Sequence, residues 1–150
     1  VDTWTSFHDQ VLAVLDLADR ILLLMTAEIP AIKNVKLFLE VADALGYPPD
    51  KVFLVLNRSD SRGGISVHDI QKSINQPIAG GIVSDGQVVI AAANRGVPFV
   101  MTNKDSQISR NIFDIARVLM AGTARDRAKT GAGQAPTPAP AKKGLFGKLL

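Results

Sequence analysis

Two continuous apolar runs dominate the chain, one within "DRILLLMTAEIP" (19–30) and one within "KVFLVLNRSD" (51–60). Neither alternates, and each ends abruptly in polar residues, the pattern of a strand buried on both faces of a parallel sheet. Between them Ile32, Val35, Leu39, Ala42 and Leu45 recur at helical spacing until "GYPPD" (46–50) stops the helix. Ahead of the first run, Val11, Leu12, Leu15, Leu17 and Ala18 predict another helix. Residues 66–74 read as a short helix with Ser66 as its cap and Asp69 three residues on. "QPIAGGIVSD" (76–85) reads as a strand of small residues. Ile108, Ile112, Ile115, Ala116 and Leu119 mark one face of a closing helix over 108–121.

With a strand tip at Asp2, strand and helix alternate four times. That order predicts an α/β fold of three layers, a mainly parallel sheet covered by helices on both faces. Ligands of such sheets bind beyond the carboxyl ends of the strands. The residues to inspect are therefore Asp2 and Thr3, Thr26 to Glu28, Asn57 and Arg58, and Ser84 and Asp85.

Composition narrows the picture. A chain of 150 residues suits one domain, and the absence of cysteine removes disulfides and thiolate metal sites. No apolar run approaches the ~18–20 residues needed to span a bilayer. Residues 1–122 carry 11 Lys/Arg against 13 Asp/Glu, whereas residues 123–150 carry six against one. The basicity belongs to the tail, so no specific nucleic acid is expected on the folded body. Residues 123–141, rich in Gly, Pro and Ala, predict a flexible linker, and a disordered tail ends in "KKGLFGKLL" (142–150).

Asp2 one step past a strand could sit near Mg²⁺ or cap the next helix. Asn57 at a strand tip suits the edge of an adenine ring, and equally suits a turn. His8 and His68 have no partner at ligand spacing, and no Ser/His/Asp set is present.

Taken together, "VDT", "LLLMTAEIPAIKN" (22–34), "LGYPPDKVFLVLNRSDSRGGIS" (45–66) and "ANRGVPFV" (93–100) resemble the MinD/ParA family of P-loop ATPases, most of all its CpaE-like branch associated with pilus assembly. The resemblance covers about residues 1–121. It implies a P-loop NTPase-like fold that binds ATP and Mg²⁺ and works as a homodimer with pilus or secretion machinery. Asp2 corresponds to the Walker B acid, meeting Mg²⁺ through water, with Thr3 beginning the switch segment. Asn57, beside Arg58, corresponds to the adenine contact, Val83, Ser84 and Asp85 to the loop flanking the base, and Glu28 to a position facing the partner subunit. The sequence departs from the family twice. Trp4 stands where the family has proline, and no Gly-rich loop ends in Lys-Ser/Thr, since Gly63 and Gly64, like Gly80 and Gly81, are followed by Ile. A nest of backbone N–H groups and a Lys hold the phosphates, so the expectation is a domain incomplete on its N-terminal side. Such a chain does not hydrolyse ATP by itself.

At the tail, Leu145, Phe146, Leu149 and Leu150 share an arc of roughly 140° on a helical wheel, with Lys142, Lys143 and Lys148 around it. This resembles the membrane-targeting tip of MinD-type ATPases and implies a cytoplasmic protein, peripheral on an anionic membrane surface. A peptide that docks on a partner protein, or a merely sticky end, fits the same residues. Two other readings stay open: a non-enzymatic partner-binding module tethered by its tail, and a partitioning relative that touches DNA.

Overall fold

In a computed structural model of the chain, the structure describes residues 1–3 and 8–130, with the backbone alone over 122–130. Three strands, β1 (Ile21–Met25), β2 (Val52–Asn57) and β3 (Ile78–Ile82), form a parallel sheet in the order β1-β2-β3. The helices are α1 (Asp9–Leu17), α2 (Ile29–Ala44), α3 (Val67–Ile74), α4 (Gly86–Arg95), α5 (Phe99–Thr102) and α6 (Gln107–Thr130), with a 3₁₀ turn at Pro49–Lys51. Both apolar runs are strands, but only the second is covered on both faces: Leu22 and Leu24 of β1 are exposed, because β1 is an edge strand and α6 lies over β3 on that side. Their residues pair in simple register from Ile21↔Val52 to Met25↔Leu56.

One face of the sheet carries Met25, Leu54 and Leu56, packed against Ile32 and Val35 of α2 and Ile70 and Ile74 of α3. At the other end of that face Leu15 of α1 joins Ile21, Ala42 and Val52. α6 covers the opposite face over β3, burying Ile108 and Ile115. Helices therefore lie on both faces, as the alternating pattern predicts. Pairing between β2 and β3 steps from Leu54↔Ile78 to Val55↔Gly80, so Ala79 is an extra residue. A side-chain period of 2 makes that bulge switch faces. Ile78 joins the α2/α3 cluster, while Gly80 lies beneath Ile115, where a Cβ would come within 2.8 Å of Cγ1.

Stops and caps follow the sequence. Ser66 Oγ accepts the Asp69 N–H at 3.2 Å and donates to the Asp69 carboxylate at 2.6 Å, capping α3. Gly46, at φ +77°, ends α2, and Pro48 and Pro49 lead into β2. Beyond it, the Tyr47 hydroxyl donates to Asp16 Oδ1 at 2.5 Å and Lys51 Nζ lies 4.3 Å from the Tyr47 ring centroid. Burial, and then the Asp16 carboxylate, push the Tyr47 phenol well above its ordinary value. The folded chain therefore keeps that proton when the unfolded chain loses it, above about pH 10. Stability is expected to fall as pH rises past that point, and urea unfolding across the range should lose part of this slope in Tyr47→Phe.

Three expectations change. Val1, Asp2 and Thr3 form no strand and are exposed, so the sheet has three strands among the described residues rather than four. Pairing is what makes a strand, and nothing described pairs with these residues. α4, absent from the hydrophobic pattern because it buries no residue, fills part of the gap between β3 and α6. α6 runs to Thr130, past the expected linker start at 123. Ala124, Arg125, Arg127, Ala128 and Lys129 favour helix, and the first proline comes only at Pro136. Trp4 and the linker and tip from 131 to 150 lie outside the described residues.

Candidate functional site

All three strands point their carboxyl ends the same way, so the segments after them form one polar edge. After β1, Thr26, Ala27 and Glu28 lead into α2, whose first turn contains Pro30. After β2, Arg58 takes φ +52°, a backbone a non-glycine residue adopts at a cost of about 1–3 kcal/mol. That turn redirects the chain into the loop 58–66. After β3, Val83 and Ser84 precede Asp85, which caps α4 by accepting the Val88 N–H at 3.1 Å.

These segments are tied to one another. The Ile65 N–H donates to the Ala27 carbonyl at 3.2 Å, joining the β1 and β2 loops. Gly64 sits against Ala27, and a Cβ there would lie 2.9 Å from Ala27 Cβ. On the other side, the Ser59 N–H donates to the Ile82 carbonyl at 2.9 Å, and the Ser84 N–H to Asp60 Oδ1 at 2.8 Å. From α6, Asn111 Oδ1 accepts the Val83 N–H at 3.3 Å. Asn57 uses its own Oδ1 locally, accepting the Arg58 N–H at 3.0 Å. Its side-chain NH₂ has no partner among the described residues.

The edge thus has two parts. Between the β1 and β2 loops lies an open cleft of about 470 Å³, lined by Thr26, Glu28, Ile29, Arg58, Arg62 and Gly64 among others. Beyond Arg58, Asn57 and the Val83–Ser84–Asp85 loop form the second part. The structure therefore joins Glu28 to Arg58 and Asn57 to residues 83–85, six of the sequence-derived positions on one rim. Asp2 and Thr3 are exposed and do not line the cleft. His8 and His68 are exposed and apart. Among the described residues no group of three or more His, Cys, Asp or Glu could hold a metal ion.

Asp60, Asn111 and Arg62 escape the sequence reading. Asp60 reads as a turn residue and Asn111 as the polar side of a helix, and only the fold brings them to the Val83–Ser84 peptides. The Ser84 backbone N–H, helped by the Ser84 hydroxyl and Asp60's own N–H, holds the Asp60 carboxyl below the ordinary carboxylate range. A depressed carboxylate stabilises the fold above its unfolded value, about 3.9. The link to Ser84 is expected to persist through mild acid and loosen only as pH falls below that value. The Ser84 amide resonance in a pH titration reports it, and a midpoint above 3.9 would contradict this assignment.

Parallel strands feeding such a rim, with helices on both faces, form the architecture of the P-loop ATPases of the MinD/ParA type. The solved structures agree on the fold. A ParA family ATPase from Chlorobium tepidum superimposes with a TM-score of 0.67 at 21% identity, over 76% of this chain and 47% of that one. The MinC:MinD cell division complex of Aquifex aeolicus gives 0.66 at 20%, over 89% and 51%. Pyrococcus horikoshii MinD, solved with Mg-ADP, gives 0.56 at 17%, over 78% and 45%.

The sequence relatives are MinD proteins. The septum site-determining protein MinD of Thermotoga maritima is 29% identical over 105 residues, 67% of this chain and 38% of that protein. A MinD-like protein of Tupiella akineta is 33% identical over 90 residues, 58% of this chain and 29% of the relative. The chain spans about a third of the length of these relatives, and no family model matches it. The chain has the MinD/ParA-type P-loop ATPase fold and is related in sequence to MinD.

Proposed function

We propose that this chain is the C-terminal portion of a CpaE-like ATPase of the MinD/ParA type. The whole protein binds MgATP, dimerises, and positions or assembles a pilus or secretion machine at the membrane. The observation that carries the nucleotide part is the tied rim of Asn57 and residues 83–85. It offers a free amide donor and free backbone carbonyls at the end of a parallel sheet, a donor and acceptor set suited to a base. The described residues fit the base half of a nucleotide and not its phosphate half. They supply no metal-ligand cluster, and no Lys-Ser/Thr follows either Gly-Gly step. Mg²⁺ usually keeps several waters and needs only one or two carboxylates besides phosphate. Asp2 serves as one of them in the whole protein, with Thr3 opening the switch, while Glu28 meets the partner subunit.

The tip, Lys142, Lys143, Leu145, Phe146, Lys148, Leu149 and Leu150, is a weak reversible membrane anchor. Its apolar side chains bring ~1.5–3 kcal/mol each if fully buried, its lysines about 1 kcal/mol each near anionic lipid. Ordering a short segment containing Gly144 and Gly147 offsets much of that. Two tips on one dimer bind far better through effective concentration, so ATP-driven dimerisation switches membrane residence.

Isothermal titration of the whole protein with MgATP, alongside an ATPase assay, tests the reading. Asp2→Asn is expected to lower hydrolysis on the order of 10²-fold while leaving ATP binding detectable, and residues 1–150 alone are expected to hydrolyse none. A whole protein that neither binds nor hydrolyses ATP would replace this reading with the tethered partner-binding module. Co-sedimentation with anionic liposomes, with and without ATP, tests the tip. Equal binding by a version ending at residue 141 would dismiss it.

A further inference from the structure

α2 and α3 pack on the same face of the sheet, and a groove of about 340 Å³ runs between them. Ile29, Ile32, Lys33 and Lys36 line it from α2, at the i, i+3, i+4, i+7 spacing that puts side chains on one face of a helix. Ile65 and Asp69 line it from the other side. Ile32 is buried in the core, whereas Ile29 keeps 61% of its surface exposed. A stripe that mixes two isoleucines with two lysines is neither a core face nor a plain solvated one, and its apolar part is only half covered.

The charges along the groove are also left without partners. Among the described residues the side chains of Lys33 and Lys36 make no ion pair or hydrogen bond, and the Asp69 carboxylate already accepts the Ser66 hydroxyl at 2.6 Å. At Ile29 and Ile65 the groove opens into the rim cleft, where Arg58 and Arg62 add two cations and Glu28 one carboxylate. Four cations against two carboxylates make this strip basic, on a body whose residues 1–122 carry 11 Lys/Arg against 13 Asp/Glu. Cations beside an exposed apolar side chain complement a ligand that sets carboxylates next to a large apolar group.

We propose that the α2/α3 groove is a docking site for an acidic segment of a partner protein. One large apolar side chain of the segment lies over Ile29 and Ile65, and carboxylates on either side of it meet Lys33 and Lys36 and, at the rim end, Arg62. A concave groove admits a peptide segment and not the flat surface of a bilayer. Glu28 and Asp69 oppose a uniform polyanion such as duplex nucleic acid, which also has no large apolar side chain to place over Ile29. The inference stands on the fold and does not require that a nucleotide binds.

The test is selection of a phage-displayed library of random peptides on the immobilised whole protein. Selected peptides are expected to carry a large apolar residue with Asp or Glu on both sides. The tightest of them, made with a fluorescein label, is then titrated by anisotropy. Lys33→Glu with Lys36→Glu is expected to weaken it by roughly tenfold, and Ile29→Ser by a similar factor. Lys104→Glu, between α5 and α6, should leave it unchanged. The same library selected on the Lys33→Glu, Lys36→Glu protein should return basic peptides, a result that a misfolded variant cannot give. Selected peptides without acidic residues, or binding indifferent to Lys33 and Lys36, overturn the proposal. So does a library that yields no binder, whether the two lysines then prove to hold anionic vesicles, duplex DNA or a second copy of the protein.

Discussion

Leu54→Ala is expected to lower the unfolding free energy by about 3–5 kcal/mol. Leu54 sits in the middle strand and has no exposed surface. It lies in the cluster of Met25, Ile32, Val35, Leu56, Ile70 and Ile74, where α2 and α3 meet the sheet. Truncation removes three carbons with their contacts, and the surrounding helices are fixed by other strands and cannot close the void. The loss compares with a total of about 5–15 kcal/mol for a typical domain, so it removes a large share of the stability. Urea titration measures it, and a cost below about 1 kcal/mol would mean that the cluster is not the packed core described here.

Gly80→Val should be nearly as severe, at about 2–3 kcal/mol, for the opposite reason. The bulge at Ala79 turns Gly80 towards α6, and a Cβ would stand 2.8 Å from Ile115 Cγ1. This is the buried stem of Ile115 rather than the free end of a flexible chain, and Ile115 is itself 8% exposed. Either α6 lifts from the sheet or β3 shifts, and a shift of β3 displaces the Val83 and Ser84 peptides held by Asn111 and Asp60. A double-mutant cycle gives the sharper result. With Ile115→Ala already in place, Gly80→Ala should cost less than in the wild-type background, because the crowding atom is gone. Additive costs would place the strain elsewhere.

The fold was largely legible in the sequence because its signals are strong and local. Continuous apolar runs that end in polar residues are the mark of parallel strands, which pointed to β1 and β2, although burial on both faces holds for β2 and not for β1, where Leu22 and Leu24 are exposed. Ser66 with Asp69, and Gly46 before two prolines, marked α3 and the end of α2 by hydrogen bonding and backbone geometry. α4 was missed because no face of it is buried, so its apolar residues, including the exposed Val89 and Ile90, follow no core. Its caps were nonetheless readable: Asp85 at one end and Gly96, at φ +63°, at the other. The site was legible only as strand tips. Asn57, Arg58 and residues 83–85 could be named because the alternation of strand and helix says where ligands bind. Asp60 and Asn111 could not, because what they do depends on a contact across 24 and 28 positions of chain. The bulge at Ala79 likewise leaves no mark beyond a run of small residues.

In the proposed function a nucleotide base lies against Asn57 and residues 83–85. Photolabelling of the whole protein with 8-azido-ATP, followed by peptide mapping, tests it most directly, because the reactive group is on the base itself. Label is expected on peptides spanning 52–62 and 78–95, suppressed by excess ATP. Label confined to other parts of the protein, equally suppressed by ATP, would contradict it.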